Sequence, residues 1–141
     1  MRKKASATQA LANVPLFSQC TARERAQIGS LLAQVRVKDG EVLCREGKPG
    51  RECFIVSEGH AKASLKGRKI AEFGPGAFFG EMSLLDGGPR TATIVAQTPM
   101  TLYVLSPSDL ATLVNKFPTV TTKMLRVLAQ RLRSADKAPT H

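Results

Sequence analysis

The chain has 141 residues, of which 43% are hydrophobic and 23% are charged, a composition typical of a globular protein rather than of a disordered or fibrous one. This length suits one domain with a proper core and leaves too little room for two. The formal net charge of +10 is compatible with an acidic partner, but the basic residues are scattered, which favours a solvated surface.

The N-terminal part, residues 1–33, is predicted to be helical. Thr21 and Glu24 have the spacing of a capping box, and apolar residues recur behind them at helical intervals, which predicts a helix over residues 21–33. A weaker pattern predicts another helix at residues 5–13.

Residues 34–105 consist of short β-prone runs separated by turn residues, which predicts a small antiparallel sandwich or barrel. In one run Ala61, Ala63 and Leu65 alternate with polar residues, so we expect these three side chains to face the core. The predicted strands cover residues 35–38, 42–45, 53–57, 61–66, 69–73, 91–97 and 100–105.

The C-terminal part, residues 106–134, returns to helix. Ser106 can cap a helix whose first residue is Pro107, Pro118 should end it, and a final helix is predicted over residues 119–134. Arg131 falls within one broad apolar face of that final helix. The apolar residues of this face are Val120, Met124, Val127, Leu128 and Leu132. Tails are expected at residues 1–7 and 135–141.

Residues 79–96 interrupt the strand pattern and carry the most informative residues. Residues 80–85 are too few for a stable free helix and are followed by turn residues, which predicts one helical turn inserted between strands. The free amides of such a turn favour an anion. Arg90, expected on the next strand, suits a phosphate because its planar fork makes two parallel hydrogen bonds.

Glu81 is unexpected beside an anion, because a carboxylate repels it unless another group separates the two. A ligand that combines a phosphate with a donor hydroxyl, such as a ribose cyclic phosphate, accounts for Glu81 and Arg90 together. The alternative is that Glu81 and Arg90 pair with each other across the turn.

The sequence FGEMSL at residues 79–84, followed by PRTA at 89–92, resembles the phosphate-binding cassette of the cyclic-nucleotide-binding domain family. Catabolite activator proteins, kinase regulatory subunits and cyclic-nucleotide-gated channels contain such domains. GPGAF at residues 74–78 is similar to the usual lead-in, and the resemblance extends over residues 16–133. It implies a mainly β fold over residues 1–141 as a single domain. The expected fold is an antiparallel β-roll, a double-stranded jelly-roll-like barrel, with N-terminal helices, a cassette at residues 79–92 and two C-terminal helices.

The resemblance also implies a ligand site. Glu81 would accept a hydrogen bond from the ribose 2′-hydroxyl and Arg90 would bind the cyclic phosphate. A residue of the C-terminal helix often covers the purine in this family, a role that would fall to Arg131; alternatively, Arg131 snorkels into water from the edge of its apolar face. The expected ligand-binding residues are Phe79, Gly80, Glu81, Met82, Ser83, Arg90, Thr91 and Arg131.

The expected function is therefore regulatory sensing of cAMP, with cGMP as the alternative, in which the C-terminal helix closes over the base. The partner would be an effector protein or a covalently linked effector domain. His60 and His141 support neither a metal site nor a catalytic one, and no DNA-binding motif follows the last helix. Two readings stay open: a β-roll that acts as a protein-interaction or dimerisation module without ligand, and charge-driven nucleic-acid binding.

The expected compartment is the cytoplasm. Cys20, Cys44 and Cys53 are odd in number, lack a CxxC spacing and follow no apolar leader. No apolar run approaches the roughly 20 residues of a membrane-spanning helix, so no membrane span is expected.

Overall fold

The structure, a computed structural model, describes residues 11–12 and 14–137, which form two antiparallel four-stranded sheets with helices before and after them. The strands are β1 (Ala33–Val37), β2 (Val42–Cys44), β3 (Cys53–Glu58), β4 (Ala61–Leu65), β5 (Arg68–Phe73), β6 (Phe78–Phe79), β7 (Thr93–Ala96) and β8 (Met100–Leu105). The helices are a short 3-10 helix (Pro15–Phe17), α1 (Ala22–Gly29), α2 (Glu81–Asp86), α3 (Pro107–Lys116) and α4 (Pro118–Lys137). The predicted β-roll with flanking helices is confirmed.

The sheet with strand order β1-β8-β3-β6 lies between two apolar cores. One core separates it from the sheet β2-β7-β4-β5, and the other separates it from the helices. Because side chains of a strand alternate between faces, Ile55 packs toward the helices and Val56 toward the opposite sheet. Phe78 and Phe79 divide in the same way. Neighbouring residues of this sheet therefore serve different cores.

The N-terminal helix α1 begins as predicted but ends earlier. Thr21 Oγ1 accepts a hydrogen bond from the Glu24 amide at 3.1 Å, and Glu24 Oε1 accepts one from the Thr21 amide at 2.8 Å, which completes the capping box. The prediction of helix to residue 33 was wrong, because residues 33–37 pair with β8 instead. Of the helix predicted at residues 5–13, all but residues 11 and 12, which are helical, lies outside the described residues.

One expected core residue of β4 proved to be exposed. Ala61 and Ala63 are buried as predicted, whereas Leu65 is 40% exposed. A β-bulge lies where β4 pairs with β5, between Ala63 and Ser64, and shifts the register of the strand end. The extra residue of the bulge belongs to β5, however, and Leu65 is exposed because it is the last residue of β4 and lies beyond the pairing with β7, which ends at Ser64.

The two C-terminal helices form as expected, with a break at Phe117. Helix α4 reaches Lys137, so the prediction of a tail from residue 135 was wrong at its start. Leu132, predicted to be part of the buried face, is 65% exposed, because the core under α4 ends at Leu128. None of the helices in the described ranges is both long and apolar enough to cross a membrane.

Glu24 connects α1 to α4 and should make stability depend on pH. Its Oε1 accepts a hydrogen bond from Lys123 Nζ at 2.8 Å, and the two side chains are only 19% and 21% exposed. This bond, followed by the one from the Thr21 amide, lowers the pKa of Glu24. A lowered folded-state pKa contributes stability above the unfolded value of about 4.3 that is lost as the pH falls through the folded value.

We expect Glu24→Gln to lose about 0.5 to 1 kcal/mol of unfolding free energy at pH 7. Its stability should also fall less steeply than that of the wild type between about pH 5 and pH 3. Urea unfolding at a series of pH values measures both effects. Lys123→Met should flatten the profile in the same way, and a wild-type profile in both variants would contradict the assignment.

Candidate functional site

A cavity of about 160 Å³ lies between α2, α4 and the sheet that contains β4, β5 and β7. All eight residues expected from the sequence to bind a ligand line this one cavity. They are Phe79, Gly80, Glu81, Met82, Ser83, Arg90, Thr91 and Arg131. The fold therefore brings together residues that are up to 52 positions apart, from Phe79 to Arg131.

The predicted helical turn is α2, and a glycine marks each end of it. Gly80 precedes the helix with φ +86° and Gly87 follows it with φ +73°, both in the left-handed region that favours glycine. A Cβ at Gly80 would lie 2.7 Å from the Glu52 carbonyl oxygen and 2.9 Å from Arg90 Nη1. Position 80 therefore leaves room for the backbone and for the guanidinium to lie close together.

Arg90 lies in the loop before β7 rather than on the strand itself, so that detail of the prediction was wrong. The strand starts later because the backbone of Arg90 pairs with the connection between β2 and β3. Its amide donates to the Lys48 carbonyl at 2.9 Å, and its carbonyl accepts from the Gly47 amide at 2.8 Å. These two bonds fix the backbone from which the Arg90 side chain reaches the cavity.

The Arg90 guanidinium is buried with few partners. The residue is only 6% exposed; Nη2 lies 3.6 Å from Glu52 Oε1, and Nη1 donates to the Gly80 carbonyl at 3.4 Å. The group also lies over the Phe54 ring at 5.7 Å. A guanidinium has five N–H donors, and a buried charge without partners is costly. Among the described residues the guanidinium makes one hydrogen bond and one ion pair, and Arg90 lines the cavity, where an anion would satisfy its remaining donors.

Glu81 pairs with Arg131 instead of with Arg90. Glu81 Oε2 lies 3.3 Å from Arg131 Nη1, and the Arg131 guanidinium stacks over the Phe78 ring at 4.3 Å. Within the described residues no ion pair joins Glu81 to Arg90, so the alternative of mutual pairing is wrong. Arg131 is 42% exposed, but it contacts the cassette rather than only water. The two ligand candidates Glu81 and Arg90 are thus held apart, each by a different partner.

The other end of the cavity is apolar, and the sequence did not identify it. Ile70 and Ala71 both line the cavity although they are neighbours on β5. Two consecutive residues of a regular strand face opposite sides, but the bulge adds one residue to β5 between the partners of Ala63 and Ser64. Ile70 is 57% exposed. An apolar part of a ligand would cover it.

Cys44 belongs to the same apolar wall and is chemically quiet. Burial raises the pKa of the Cys44 thiol, so it stays protonated at neutral pH and packs as a small apolar group. Among the described residues no three His, Cys, Asp or Glu side chains are grouped as metal ligands would be. The cavity thus has a cationic end at Arg90 and an apolar end at Ile70, Ala71 and Cys44.

Comparison with known proteins agrees with this geometry. Residues 34–117 match the family model of the cyclic nucleotide-binding domain. The chain is 36% identical over 130 residues to the cyclic nucleotide-gated potassium channel mll3241 of Mesorhizobium japonicum, which covers 92% of this chain and 36% of the channel. It is 34% identical over 100 residues to the cAMP-dependent protein kinase regulatory subunit of Pyricularia oryzae, covering 70% of this chain and 26% of the subunit.

The fold has a close counterpart among solved structures. The crystal structure of the catabolite activator protein of Thermus thermophilus superposes with a TM-score of 0.79 at 33% identity, covering 86% of this chain and 60% of that chain. The chain spans only about a third or less of the length of the channel and the kinase subunit. The shared part is in each case the domain and not the whole protein.

Proposed function

Because the chain belongs to the cyclic nucleotide-binding domain family, we propose that its cavity binds cAMP in preference to cGMP and that the domain reports this binding to an effector. The observation that carries the proposal is the buried Arg90 guanidinium, which lines the cavity and has few protein partners among the described residues. A cyclic phosphate carries one negative charge and two free oxygens, which match the fork of an arginine. The role is regulatory rather than catalytic.

The sugar is assigned to Glu81. Its carboxylate lies at the first residue of α2, directly after Gly80, whereas Arg90 reaches the same cavity from the loop before β7. A carboxylate there repels a phosphate but accepts a hydrogen bond from a neighbouring hydroxyl. The ribose 2′-hydroxyl of a cyclic nucleotide is such a donor. Met82 and Ser83 line the cavity beside Glu81, and Thr91 adds a hydroxyl next to Arg90.

The base is assigned to the apolar end and to Arg131. Ile70 and Ala71 form an apolar wall, and Arg131 brings α4 to the edge of the cavity. Closure of α4 over the base would carry the signal, since Arg131 must leave or share Glu81 when the sugar arrives. The preference for cAMP is supported by the name of the similar kinase subunit from P. oryzae. The effector would be a linked domain or a separate protein, as the channel and kinase relatives suggest.

Glu81→Gln tests the assignment of the sugar. We expect the wild type to bind cAMP about tenfold more tightly than 2′-deoxy-cAMP, since one charge-assisted hydrogen bond is lost with the hydroxyl. The Glu81→Gln variant should discriminate only about threefold, because its neutral amide oxygen still accepts a hydrogen bond from the hydroxyl but lacks the charge. Isothermal titration calorimetry with cAMP, 2′-deoxy-cAMP and cGMP measures this, and amide chemical shifts of residues 119–134 in the same titrations report any movement of α4.

Glu72→Gln is the matched control, because it makes the same change at an exposed carboxylate that does not line the cavity. It should keep the wild-type discrimination. A wild type that binds neither cyclic nucleotide with saturation would favour the protein-interaction module instead. A Glu81→Gln variant that discriminates as strongly as the wild type would remove Glu81 from the sugar site.

A further inference from the structure

The connection between β2 and β3, residues 45–52, contacts both Arg90 and α2. Its residues Gly50 and Glu52 both serve Arg90: a Cβ at Gly50 would lie 2.7 Å from Arg90 Nε, and Glu52 Oε1 lies 3.6 Å from Arg90 Nη2. The guanidinium thus rests against a glycine backbone and beside a carboxylate. Arg51, between these two residues, contacts a different part of the site.

Arg51 binds the C-terminal end of α2. Its Nη2 donates to the Leu84 carbonyl at 3.1 Å and its Nε to the Ser83 carbonyl at 3.5 Å. A Cβ built at Gly87, the residue after the helix, would lie 3.6 Å from the same Nε. The last carbonyls of a helix lack intrahelical partners, and the negative end of the helix dipole favours a cation. Arg51 supplies both a donor and the charge.

Helix α2 depends on contacts of this kind. It has six residues, a length that is marginal without tertiary support. Within it only Ser83 and Leu84 are buried, whereas Met82 is 55% and Leu85 50% exposed. Few side chains therefore anchor the helix by burial, and the Arg51 guanidinium adds hydrogen bonds to two of its carbonyls.

We propose that Arg51 is a positioning residue for the ligand. By holding the end of α2 it fixes the start of the same helix, where Glu81 lies, relative to Arg90. Arg51 does not line the cavity, so it acts through α2 and not by touching the ligand. This inference rests on the proposed function, because it concerns the geometry of the same site. Two adjacent residues of one connection then position the two parts of the site. Arg51 holds α2, which carries Glu81, and Glu52 pairs with Arg90.

The test is the dissociation rate of a fluorescent cAMP analogue from Arg51→Ala, measured by stopped flow, with hydrogen exchange of the α2 amides in the ligand-free protein. We expect dissociation about fivefold faster than from the wild type, and faster exchange across residues 81–86, as for the loss of one or two hydrogen bonds. Arg51→Lys should recover at least half of the effect on a logarithmic scale, because a lysine can still donate to one carbonyl. Arg45→Ala, at an exposed arginine of the same connection that does not line the cavity, should match the wild type.

The outcomes separate the two proposals. A wild type that binds neither cAMP nor cGMP contradicts the proposed function, and unchanged exchange in residues 81–86 of Arg51→Ala then overturns the role of Arg51 as well. If the wild type binds, wild-type dissociation from Arg51→Ala overturns the positioning role alone. A lower melting temperature with no recovery in Arg51→Lys would indicate a general structural contribution and would also overturn it.

Discussion

Arg90→Ala should weaken cAMP binding by about 30- to 800-fold, which corresponds to about 2 to 4 kcal/mol for the loss of a bidentate charge-assisted contact. The expectation follows from the position of the guanidinium, 6% exposed and hydrogen-bonded to the protein only through the Gly80 carbonyl among the described residues. Calorimetric titration with cAMP measures the loss. Without the guanidinium the phosphate would lose its cationic partner, and Glu52 would lose its ion pair.

Arg90→Lys separates the charge from the geometry. A lysine keeps the positive charge but cannot make two parallel hydrogen bonds, so its affinity should lie between those of the wild type and Arg90→Ala. Glu52, the ion-pair partner, is 49% exposed and remains solvated in both variants, so the fold should persist. Circular dichroism and a thermal melt check this. An Arg90→Ala variant that is folded and binds with the wild-type dissociation constant would remove Arg90 from the site.

Gly80→Ala should also abolish most of the affinity, for a steric reason. Its φ of +86° costs an alanine about 1 to 2 kcal/mol. The added Cβ would also lie 2.7 Å from the backbone carbonyl oxygen of Glu52 and 2.9 Å from Arg90 Nη1. Backbone cannot give way as a side chain can, so the guanidinium must shift. We expect at least about tenfold weaker cAMP binding, since a displaced fork loses one or both hydrogen bonds.

Gly40→Ala is a matched control for this effect. Gly40 has the same φ of +86°, but a Cβ there would meet no atom within 4 Å. Gly80→Ala should therefore lose at least as much free energy of unfolding in urea as Gly40→Ala, because it adds the clash to the same backbone strain, while only Gly80→Ala should lose affinity in calorimetry. Equal affinities of the two variants would show that the crowding at Gly80 does not reach Arg90.

The sequence predicted well what depends on neighbouring residues. The helical turn α2, the capping box at Thr21, the cap at Ser106 and the break before Pro118 are set by local chemistry, and the structure contains all of them. The residues of the cassette are close together in sequence, so their common cavity also follows from a local pattern. Their roles toward a ligand stay predictions.

The features that were missed depend on pairing between distant parts of the chain. Ile70 lines the cavity beside Ala71 because β5 has an extra residue where it pairs with β4, and Leu65 is exposed because it lies beyond the pairing of β4 with β7. Glu52 meets Arg90 through the packing of a loop, which no spacing in the sequence records. Leu31 and Leu32 extended the apparent helical period, but the strand pairing of Ala33 with Val104 ended the helix.

The bond between Glu24 and Lys123 affects which helices can move together when a ligand binds. Val120 and Met124 of α4 share one core with Leu16 and Phe17, so a swing of α4 that starts at Phe117 would open that core and break the bond. Displacement of α4 costs less free energy when α1 and the 3-10 helix move with it as one rigid body, because the shared core and the bond are then kept. Nucleotide binding would then move the helices on both sides of the β-roll in sequence, α1 before it and α4 after it. An effector could respond to the movement of either helix.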